Sequence, residues 1–236
     1  MATVLLLRHG RTSANVDGSL AGRGAVALDD TGVAQAIAAG ERLRGLPLRL
    51  AASSPLVRCR QTVELALPGI EVVVEDGLVE CGYGEWEGQP LRQLARQPLW
   101  RVVQQHPSAV TFPGGESMAA MSARAVASVR ALDGRVTAEH GPDALWLACS
   151  HGDVIKAIVA DALGLHLDLF QRLAVDPGSV TAIRYTPGRP FLVRLNDTGA
   201  LASLVPAKRP RRRRKRADED GVVGGGAGSA GTAGAG

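Results

Sequence analysis

The sequence predicts an α/β fold, a three-layer α/β/α sandwich around a mostly parallel sheet, and two observations support this prediction. Short apolar segments of strand length alternate along the chain with longer segments of helical character, as they do in α/β domains. In addition, two of the apolar segments end in polar clusters that contain histidine. Such clusters match the sheet edge at which open α/β folds bind their ligands.

Six apolar runs predict the strands. The first, Val4–Leu7, is an uninterrupted aliphatic run, as expected for a strand that is buried on both faces of a sheet. The remaining predicted strands are Leu50–Ser53, Ile70–Glu75, Leu145–Cys149, Val180–Tyr185 and Phe191–Asn196. A turn that contains Pro187 and Gly188 joins the last two strands.

Capping residues and apolar spacing predict the helices. Residues 30–31, Asp-Thr, are N-cap candidates for a helix that ends near Arg44. Its apolar side is predicted to carry Val33, Ile37 and Leu43. The later predicted helices are one that runs to about Leu67 with Pro55 in its first turn, Leu91–Gln105 with an interruption at Pro98, Ser117–His140 and Asp153–Leu163.

Residues 1–206 are predicted to form a single domain, and residues 207–236 a disordered tail. The formal net charge of +4 on the 236-residue chain depends on eight basic side chains within residues 208–216. Without them and the three acidic residues at 218–220, the chain holds 19 basic and 20 acidic side chains. The folded part is therefore close to neutral. The tail could contact nucleic acid or another polyanion non-specifically, although its composition favours a solvated segment.

Cysteine content and apolar run length argue against several classes of protein. Cys59, Cys81 and Cys149 are odd in number and lack a CxxC spacing, which speaks against a disulfide framework or a zinc site. Each lies beside a candidate site motif, so a redox role is an alternative to a small buried side chain. We find neither a secretory signal nor a run of eighteen apolar residues, and we expect a cytoplasmic protein without a membrane segment.

The end of the first predicted strand carries residues that suit phosphate chemistry. Arg8 offers a bidentate fork for a phosphate group, and the neutral imidazole of His9 is a nitrogen nucleophile near pH 7. Gly10 lets a ligand approach the backbone closely. A lone histidine is more often a structural hydrogen-bonding residue, so the chemical interpretation depends on the other motifs.

Two further motifs contribute charges of both signs. Arg58 and Arg60 lie near the predicted start of a helix, where free N–H groups also attract anions. The alternative is that both arginines, Arg60 above all, are solvated. The glycine-rich segment Gly77–Gly88 is a predicted loop with three carboxylates, one of which could donate a proton. The alternative there is a flexible acidic surface loop.

Leu145–Asp153 repeats the first motif, since an apolar run again leads to a His-Gly pair, at His151, and then to a predicted helix. Two strand ends that each deliver a histidine are difficult to explain by packing. The motifs contain histidines, arginines and a carboxylate, but they contain neither a pair of cysteines nor a cluster of carboxylates that could bind a metal ion. They indicate a site for a phosphoryl group rather than for a metal ion.

Together these motifs resemble the histidine phosphatase superfamily, the phosphoglycerate-mutase-like group. The resemblance covers residues 3–195 and rests on four segments in the order of the family. These segments are Arg8–Thr12 together with Asn15, Ser54–Thr62, Glu80–Gly88 and Ser150–Gly152. A further segment, residues 114–117, resembles a part of the family that lies near the substrate.

The resemblance implies a role for each matched residue. His9 would be the nucleophile that becomes phosphohistidine, and Glu80 the general acid that later activates water. The rest of the phosphate pocket would consist of Arg8, Asn15, Arg58 and His151. Such an enzyme needs no metal and no cofactor, because cationic side chains stabilise the transferring phosphoryl group.

The superfamily contains both hydrolases and mutases, and the sequence favours a phosphatase. Mutases carry a longer insertion after the acidic loop than residues 89–112 provide. A mutase, or an inactive module that binds a phosphorylated ligand, is the alternative. Gly82 departs from the family pattern, since many relatives have an acidic residue there, and Glu85 and Glu87 are alternative proton donors. The expected partner is a small phosphorylated metabolite, whose identity stays open, as does the oligomeric state.

Overall fold

A computed structural model describes residues 1–199 and Gly224. Within them, six strands form one sheet with helices on both of its faces. In chain order the strands are β1 (Thr3–Arg8), β2 (Leu48–Ser53), β3 (Val72–Val74), β4 (Leu145–Ser150), β5 (Val180–Arg184) and β6 (Phe191–Asp197). All six predicted strands are therefore present, and their ends differ from the prediction by no more than two residues.

The sheet has the strand order β3-β2-β4-β1-β5-β6. The first four strands of this order pair in parallel, whereas β5 runs antiparallel to both β1 and β6. The sheet is thus mostly parallel, as predicted. β1 and β4 are central and adjacent, with Arg8 opposite Ser150, so their carboxyl ends lie side by side.

Seven α-helices lie among the described residues. They are α1 (Ser13–Asp17), α2 (Asp30–Leu43), α3 (Val57–Ala66), α4 (Leu91–Leu94), α5 (Pro98–Gln105), α6 (Met118–His140) and α7 (Gly152–Leu163). On one face of the sheet, Ala39 of α2 and Val63 of α3 share a core cluster with Leu7 of β1. On the other face, Val129 of α6 belongs to the cluster of Leu6. Successive residues of β1 thus enter different cores, which confirms the three-layer arrangement.

The buried side of α2 differs from the prediction. The helix buries Ala36, Ala39 and Leu43, whereas Ile37 is 48% exposed. α2 packs closely against α3, since a Cβ atom at Gly40 would lie only 2.6 Å from a backbone carbonyl oxygen of α3. Such an approach requires small side chains, so shape decides which face is buried. The prediction that Ile37 lies on the apolar side is therefore wrong.

Two helix starts also differ from the prediction. Pro55 lies in the turn before α3 and not in its first turn, because the backbone N–H of Ser54 still pairs with β4 and the helix begins at Val57. The five-residue helix α1 is absent from the prediction, since its only sequence signal is a capping box between Thr12 and Asn15.

The segment between β3 and α6 has little regular structure. The predicted loop contains only single 3₁₀ turns, at Asp76–Leu78 and Gly84–Trp86. The helix predicted for Leu91–Gln105 consists of α4 and α5. As predicted, the helical segment is interrupted before Pro98, which occupies the first turn of α5, where its missing N–H costs no hydrogen bond.

The predicted tail, residues 207–236, lies outside the described residues with the exception of Gly224. The domain boundary at residue 206 and the contacts of the basic run therefore stay predictions. Within residues 1–199 no helix is both long enough and apolar enough to cross a membrane.

Candidate active site

The carboxyl ends of β1 and β4 bring the two histidines of the His-Gly motifs together. The backbone N–H of His9 donates to the carbonyl of Ser150 at 3.0 Å, which extends the pairing of the two strands by one residue. His151 is the N-cap residue of α7. The ring centroids of His9 and His151 are 5.2 Å apart, with 60° between the ring planes. Both residues are buried.

Hydrogen bonds fix the ring of His9 so that Nε2 carries a lone pair. Nδ1 lies 2.7 Å from the carbonyl oxygen of Gly10 and holds the proton, because a carbonyl can only accept. Nε2 accepts from Nε–H of Arg58 at 3.3 Å. Burial lowers the pKa of His9 well below its usual value, and the charges of Arg58 and Arg8 lower it further. The imidazole is therefore neutral at neutral pH, as a nitrogen nucleophile requires.

Arg58, the second residue of α3, is held in place by backbone carbonyls. Its Nη2 donates to Gly22 at 2.6 Å and its Nη1 to Gly24 at 3.0 Å. With Nε directed at His9, every nitrogen of this buried guanidinium group has a partner, and its position beside His9 is fixed. Arg60 is exposed on the same helix, which agrees with the solvated alternative.

Arg8 and Asn15 are each held by hydrogen bonds within the protein. Arg8 is buried and donates from Nη1 to the carbonyl of Val175 at 2.6 Å. Burial lowers the pKa of Arg8 to about 10, against the opposing effect of nearby carboxylates, that of Glu80 first. The guanidinium group therefore keeps its charge at neutral pH. Asn15 lines the pocket and accepts through Oδ1 from both N–H and Oγ1 of Thr12, each at 3.0 Å.

His151 contacts two side chains from the start of α3 and the turn before it. Its Nε2 lies 2.8 Å from Oγ of Ser54 and 3.5 Å from Sγ of Cys59. Burial lowers the pKa of His151 well below its usual value, and the charge of Arg58 adds to this effect. The second histidine is therefore also neutral in the free protein. Both contacts restrict the rotation of its ring.

Glu80 brings a buried carboxyl group to the pocket. Its Oε1 accepts from the backbone N–H of Cys81 at 2.9 Å. Burial raises the pKa of Glu80 to about 7, and the negative charge of Asp153 acts in the same direction. The N–H of Cys81 and the charges of Arg58 and Arg8 oppose this rise. A carboxyl group with such a pKa can both donate and accept a proton near neutral pH.

The other two acidic residues of the loop are placed differently. Glu85 is exposed. Glu87 accepts through Oε1 from the backbone N–H groups of Tyr83, at 3.1 Å, and Arg23, at 3.2 Å, and therefore has a structural role in holding the loop. Of the three candidate donors, Glu80 is the one that lines the pocket with His9.

A network from α6 that the sequence analysis missed holds this loop. Arg124 donates from Nε and Nη2 to the two carboxylate oxygens of Glu116, at 2.7 and 2.9 Å. Arg23 reaches the same carboxylate at 3.0 Å. Arg124 also donates to three carbonyl oxygens of the loop, at 2.7–3.1 Å, namely those of Gly77, Val79 and Glu80. The segment 114–117 thus contacts the loop that carries the acid, and no local sequence signal marks Arg124 as its anchor.

The pocket between these groups has a volume of about 410 Å³, including space that is open to solvent. Its charged or titratable lining residues include His9, Arg58 and Glu80. Its other lining residues are mostly small or apolar and comprise Thr12, Ala14, Asn15, Gly18, Ser19, Leu20, Ala21, Gly22, Tyr83, Leu91 and Gly224. The pocket therefore combines a few charged or titratable groups with largely neutral walls.

Among residues 1–199 and Gly224, no group of three or more His, Cys, Asp or Glu side chains could hold a metal ion. The pocket offers a ligand the positive charge of Arg58 beside the neutral imidazole of His9. Arg8 is buried and does not line the pocket, but its charge acts on both His9 and Glu80. Because the pKa of Glu80 is raised to about 7, its carboxyl group can hold a proton near neutral pH and transfer it. Together these groups suit a dianionic phosphoryl group and a leaving group that needs a proton.

The sequence matches known proteins over the same region. Residues 4–198 match the family described as the histidine phosphatase superfamily, branch 1. An acid phosphatase of Mycobacterium tuberculosis is 33% identical over 202 residues, which are 83% of this chain and 93% of the relative. The bifunctional protein Rv2228c of the same species is 33% identical over 203 residues, or 84% of this chain. The chain spans only about half of that relative, 54% of its length.

Mutases also occur among the relatives. The 2,3-bisphosphoglycerate-dependent phosphoglycerate mutase 2 of Gloeobacter violaceus is 27% identical over 183 residues, 75% of this chain and 82% of the relative. Among solved structures, the alpha-ribazole phosphatase of Shigella flexneri superposes with a TM-score of 0.71 and 27% identity, over 83% of this chain and 96% of that one. From the family match over residues 4–198 and these relatives, the chain belongs to the histidine phosphatase superfamily.

Proposed function

We propose that the protein hydrolyses a small phosphorylated metabolite through a phosphohistidine at His9, without a metal ion. One observation carries this proposal, namely the lone pair on Nε2 of the neutral His9 beside the buried guanidinium group of Arg58. Arg8 adds a second buried positive charge. A dianionic phosphoryl group between these groups would meet compensating charge and a nucleophile that is already oriented.

In the first step, Nε2 of His9 attacks the phosphorus atom in line with the ester oxygen. A P–N bond forms and the P–O bond to the leaving group breaks. Glu80 gives its proton to the departing oxygen, which leaves as an alcohol, and Glu80 becomes a carboxylate. Arg8 and Arg58 compensate the charge on the three equatorial oxygens during the transfer.

In the second step, the Glu80 carboxylate accepts a proton from water as the water oxygen attacks the phosphorus atom. A new P–O bond forms, the P–N bond breaks, and Nε2 of His9 regains its lone pair. Inorganic phosphate leaves and Glu80 is protonated again. Both steps can run near neutral pH because the pKa of Glu80 is raised to about 7.

His151 is expected to help bind the phosphoryl group. In the free protein its imidazole is neutral, since burial and the charge of Arg58 lower its pKa. A bound dianion would oppose both effects, because negative charge near an imidazole favours the protonated form. His151, whose ring centroid lies 5.2 Å from that of His9, would then donate a hydrogen bond to a phosphoryl oxygen.

A phosphoenzyme assay tests the proposal. The wild-type protein, mixed with ³²P-labelled phosphomonoester and quenched in base, should carry a phosphoryl group that is stable in alkali and labile in acid. His9→Asn should lose both this label and the turnover of p-nitrophenyl phosphate. The matched control is His140→Asn, at an exposed position at the end of α6, which should behave as the wild type. Turnover by His9→Asn at a rate near that of the wild type would reject the mechanism.

The same preparation distinguishes a phosphatase from a mutase. A mutase should convert 3-phosphoglycerate to 2-phosphoglycerate in the presence of 2,3-bisphosphoglycerate, whereas a phosphatase should release inorganic phosphate. We expect phosphate release, because only residues 89–112 separate the acidic loop from the segment 114–117. A screen over phosphorylated metabolites would then identify the leaving group.

A further inference from the structure

Asp153, the second residue of α7, is a buried carboxylate beside the site that the proposed mechanism does not use. Its exposed fraction is 0%. Oδ2 accepts from the hydroxyl group of Tyr83 at 2.8 Å and from the backbone N–H of Gly224 at 2.9 Å. Oδ1 has no hydrogen-bond partner within the described part of the chain. An ionised carboxylate in such surroundings exerts a strong field on its neighbours, because water does not screen it.

Lys156 balances this charge only in part. Its Nζ lies 3.8 Å from Oδ1 of Asp153, which is too far for a hydrogen bond. The ammonium group instead donates to Oε1 of Gln171 at 3.0 Å and lies 5.9 Å from the ring centroid of Phe170. Burial also lowers the pKa of Lys156. The negative charge of Asp153 therefore acts on other groups of the pocket.

Tyr83 connects Asp153 to the loop that carries the acid. It lies three residues after Glu80, is fully buried, and packs edge-on against Phe112 at a centroid distance of 4.9 Å. Its backbone N–H donates to Glu87 at 3.1 Å, so both ends of the residue are fixed. The hydrogen bond from its hydroxyl group thus holds the acid loop at a defined place relative to α7.

Charged and titratable groups reach Glu80 and Asp153 from several elements. They are Arg8 of β1, Arg58 of α3, Cys81 and Tyr83 of the loop, Arg124 of α6 and Lys156 of α7. Arg58 and Arg8 favour the ionised form of Glu80, and Asp153 favours the protonated form. Asp153 is thus the carboxylate whose charge offsets the two phosphate-binding arginines at the position of the acid.

We infer that Asp153 is a positioning residue for Glu80: its buried charge favours the proton that Glu80 gives up in the first step, and the hydrogen bond that it accepts from Tyr83 holds the loop of Glu80 in place. This inference rests on the proposed function, in which Glu80 is the general acid. Without the charge of Asp153, burial alone would oppose Arg58 and Arg8, and a larger fraction of Glu80 would be in the ionised form, which has no proton for the leaving oxygen.

Two variants separate the charge from the hydrogen bond. Asp153→Asn removes the charge and keeps an oxygen that can accept from Tyr83. Tyr83→Phe removes the hydrogen bond and keeps the charge. A purely structural role of the pair predicts that both variants behave alike. The matched control is Asp161→Asn, farther along α7, where the carboxylate pairs with the half-exposed side chain of Arg130.

The activity readout is the pH dependence of kcat/KM in the full chain, with glycerol 2-phosphate as a substrate that has a poor leaving group. For the wild type we expect a fall above pH 7, as Glu80 loses its proton. In Asp153→Asn the fall should begin at lower pH, and the value at pH 8 should drop by about tenfold. Tyr83→Phe and Asp161→Asn should keep the wild-type midpoint. An unshifted midpoint in Asp153→Asn, or the same shift in Tyr83→Phe, would overturn the inference.

A ¹³C NMR titration of the Glu80 carboxyl group, assigned with Glu80→Gln, measures protonation without reference to turnover. Its midpoint should lie at lower pH in Asp153→Asn than in the wild type, and equal midpoints would reject the inference. Absence of hydrolysis by the wild type would reject only the proposed function.

Should Asp153→Asn not fold, Lys156→Gln tests the same balance between the charges around Glu80. Loss of that cation should move the midpoint to higher pH, and a midpoint that stays or falls would contradict the inference.

Discussion

The phosphate side and the acid side of the site are built in different ways. On the phosphate side, each functional group occupies the end of a regular element. Arg8 ends β1 and His9 follows it, Arg58 lies in the first turn of α3, and His151 caps α7. On the acid side, the carboxyl group belongs to an irregular loop that has only two single 3₁₀ turns.

The supports of the two sides differ accordingly. Backbone pairing between β1 and β4 places the histidines, and carbonyls of a short segment fix Arg58. The loop of Glu80 instead depends on side chains that are distant in sequence, chiefly Arg124 and Glu116. In the proposed mechanism, phosphoryl binding therefore depends on the architecture of the sheet, whereas proton donation depends on a few long-range contacts. The two sides should therefore respond differently to substitution.

Among substitutions that leave the nucleophile of the proposed mechanism in place, the largest expected effect lies on the acid side and depends on the substrate. Glu80→Gln keeps the shape of the side chain but supplies no transferable proton. Turnover of an alkyl phosphomonoester should fall by about 10²- to 10⁴-fold, whereas kcat/KM for p-nitrophenyl phosphate, whose leaving group needs no proton, should fall far less. Steady-state rates with both substrates measure this difference. Glu85→Gln, at an exposed position of the same loop, is the control. An equal loss in the control would move the acid to Glu85.

A smaller effect, equal for all substrates, is expected on the phosphate side. Arg58→Ala removes a buried cation beside the nucleophile, and kcat/KM should fall by about 10²- to 10³-fold whatever the leaving group. Arg60→Ala, two residues farther along α3 and exposed, should leave the rate unchanged. A comparable loss in both variants would show that the effect comes from α3 as a whole and not from the charge in the site.

The same contrast explains what the sequence could predict. The groups on the phosphate side are contiguous with strands and helix starts, so apolar runs that end in polar residues locate them without knowledge of tertiary contacts. The six strands follow from the apolar runs and the mostly parallel sheet from their alternation with helical segments, whereas the family is recognised from the resemblance of four motif segments. Both His-Gly motifs meet because β1 and β4 are neighbours with Arg8 opposite Ser150.

What the sequence could not predict depends on packing between distant segments. Arg124 lies within a long helix with no local sign that it binds the loop 44 residues before it. The burial of Asp153 arises from the approach of Tyr83, 70 residues away. Ile37 has the hydrophobicity of a core residue, yet the close contact of α2 with α3 excludes it from the core. Such features appear only when the elements are assembled.

The smallest effect tests the support of the acid loop. Arg124→Lys keeps the positive charge. It loses the pair of hydrogen bonds to the two carboxylate oxygens of Glu116 and most of the hydrogen bonds to the loop carbonyls. The free energy of unfolding should fall by about 1–3 kcal/mol, as measured by urea denaturation, because partly buried acceptors lose their partners. Turnover of alkyl substrates should fall more than that of p-nitrophenyl phosphate. Arg130→Lys, whose half-exposed side chain pairs with Asp161 on the same face of the protein, should cost less than about 1 kcal/mol.

The separate roles of the phosphate side and the acid side are tested most directly by a plot of log kcat/KM against the pKa of the leaving alcohol. The series would comprise aryl and alkyl phosphomonoesters with wild type, Arg58→Ala and Glu80→Gln. We predict that Arg58→Ala lies below the wild type on a parallel line, since charge compensation does not depend on the leaving group. Glu80→Gln should give a steeper line, because poor leaving groups lose the proton they need. Parallel lines for both variants would contradict separate roles for the two sides.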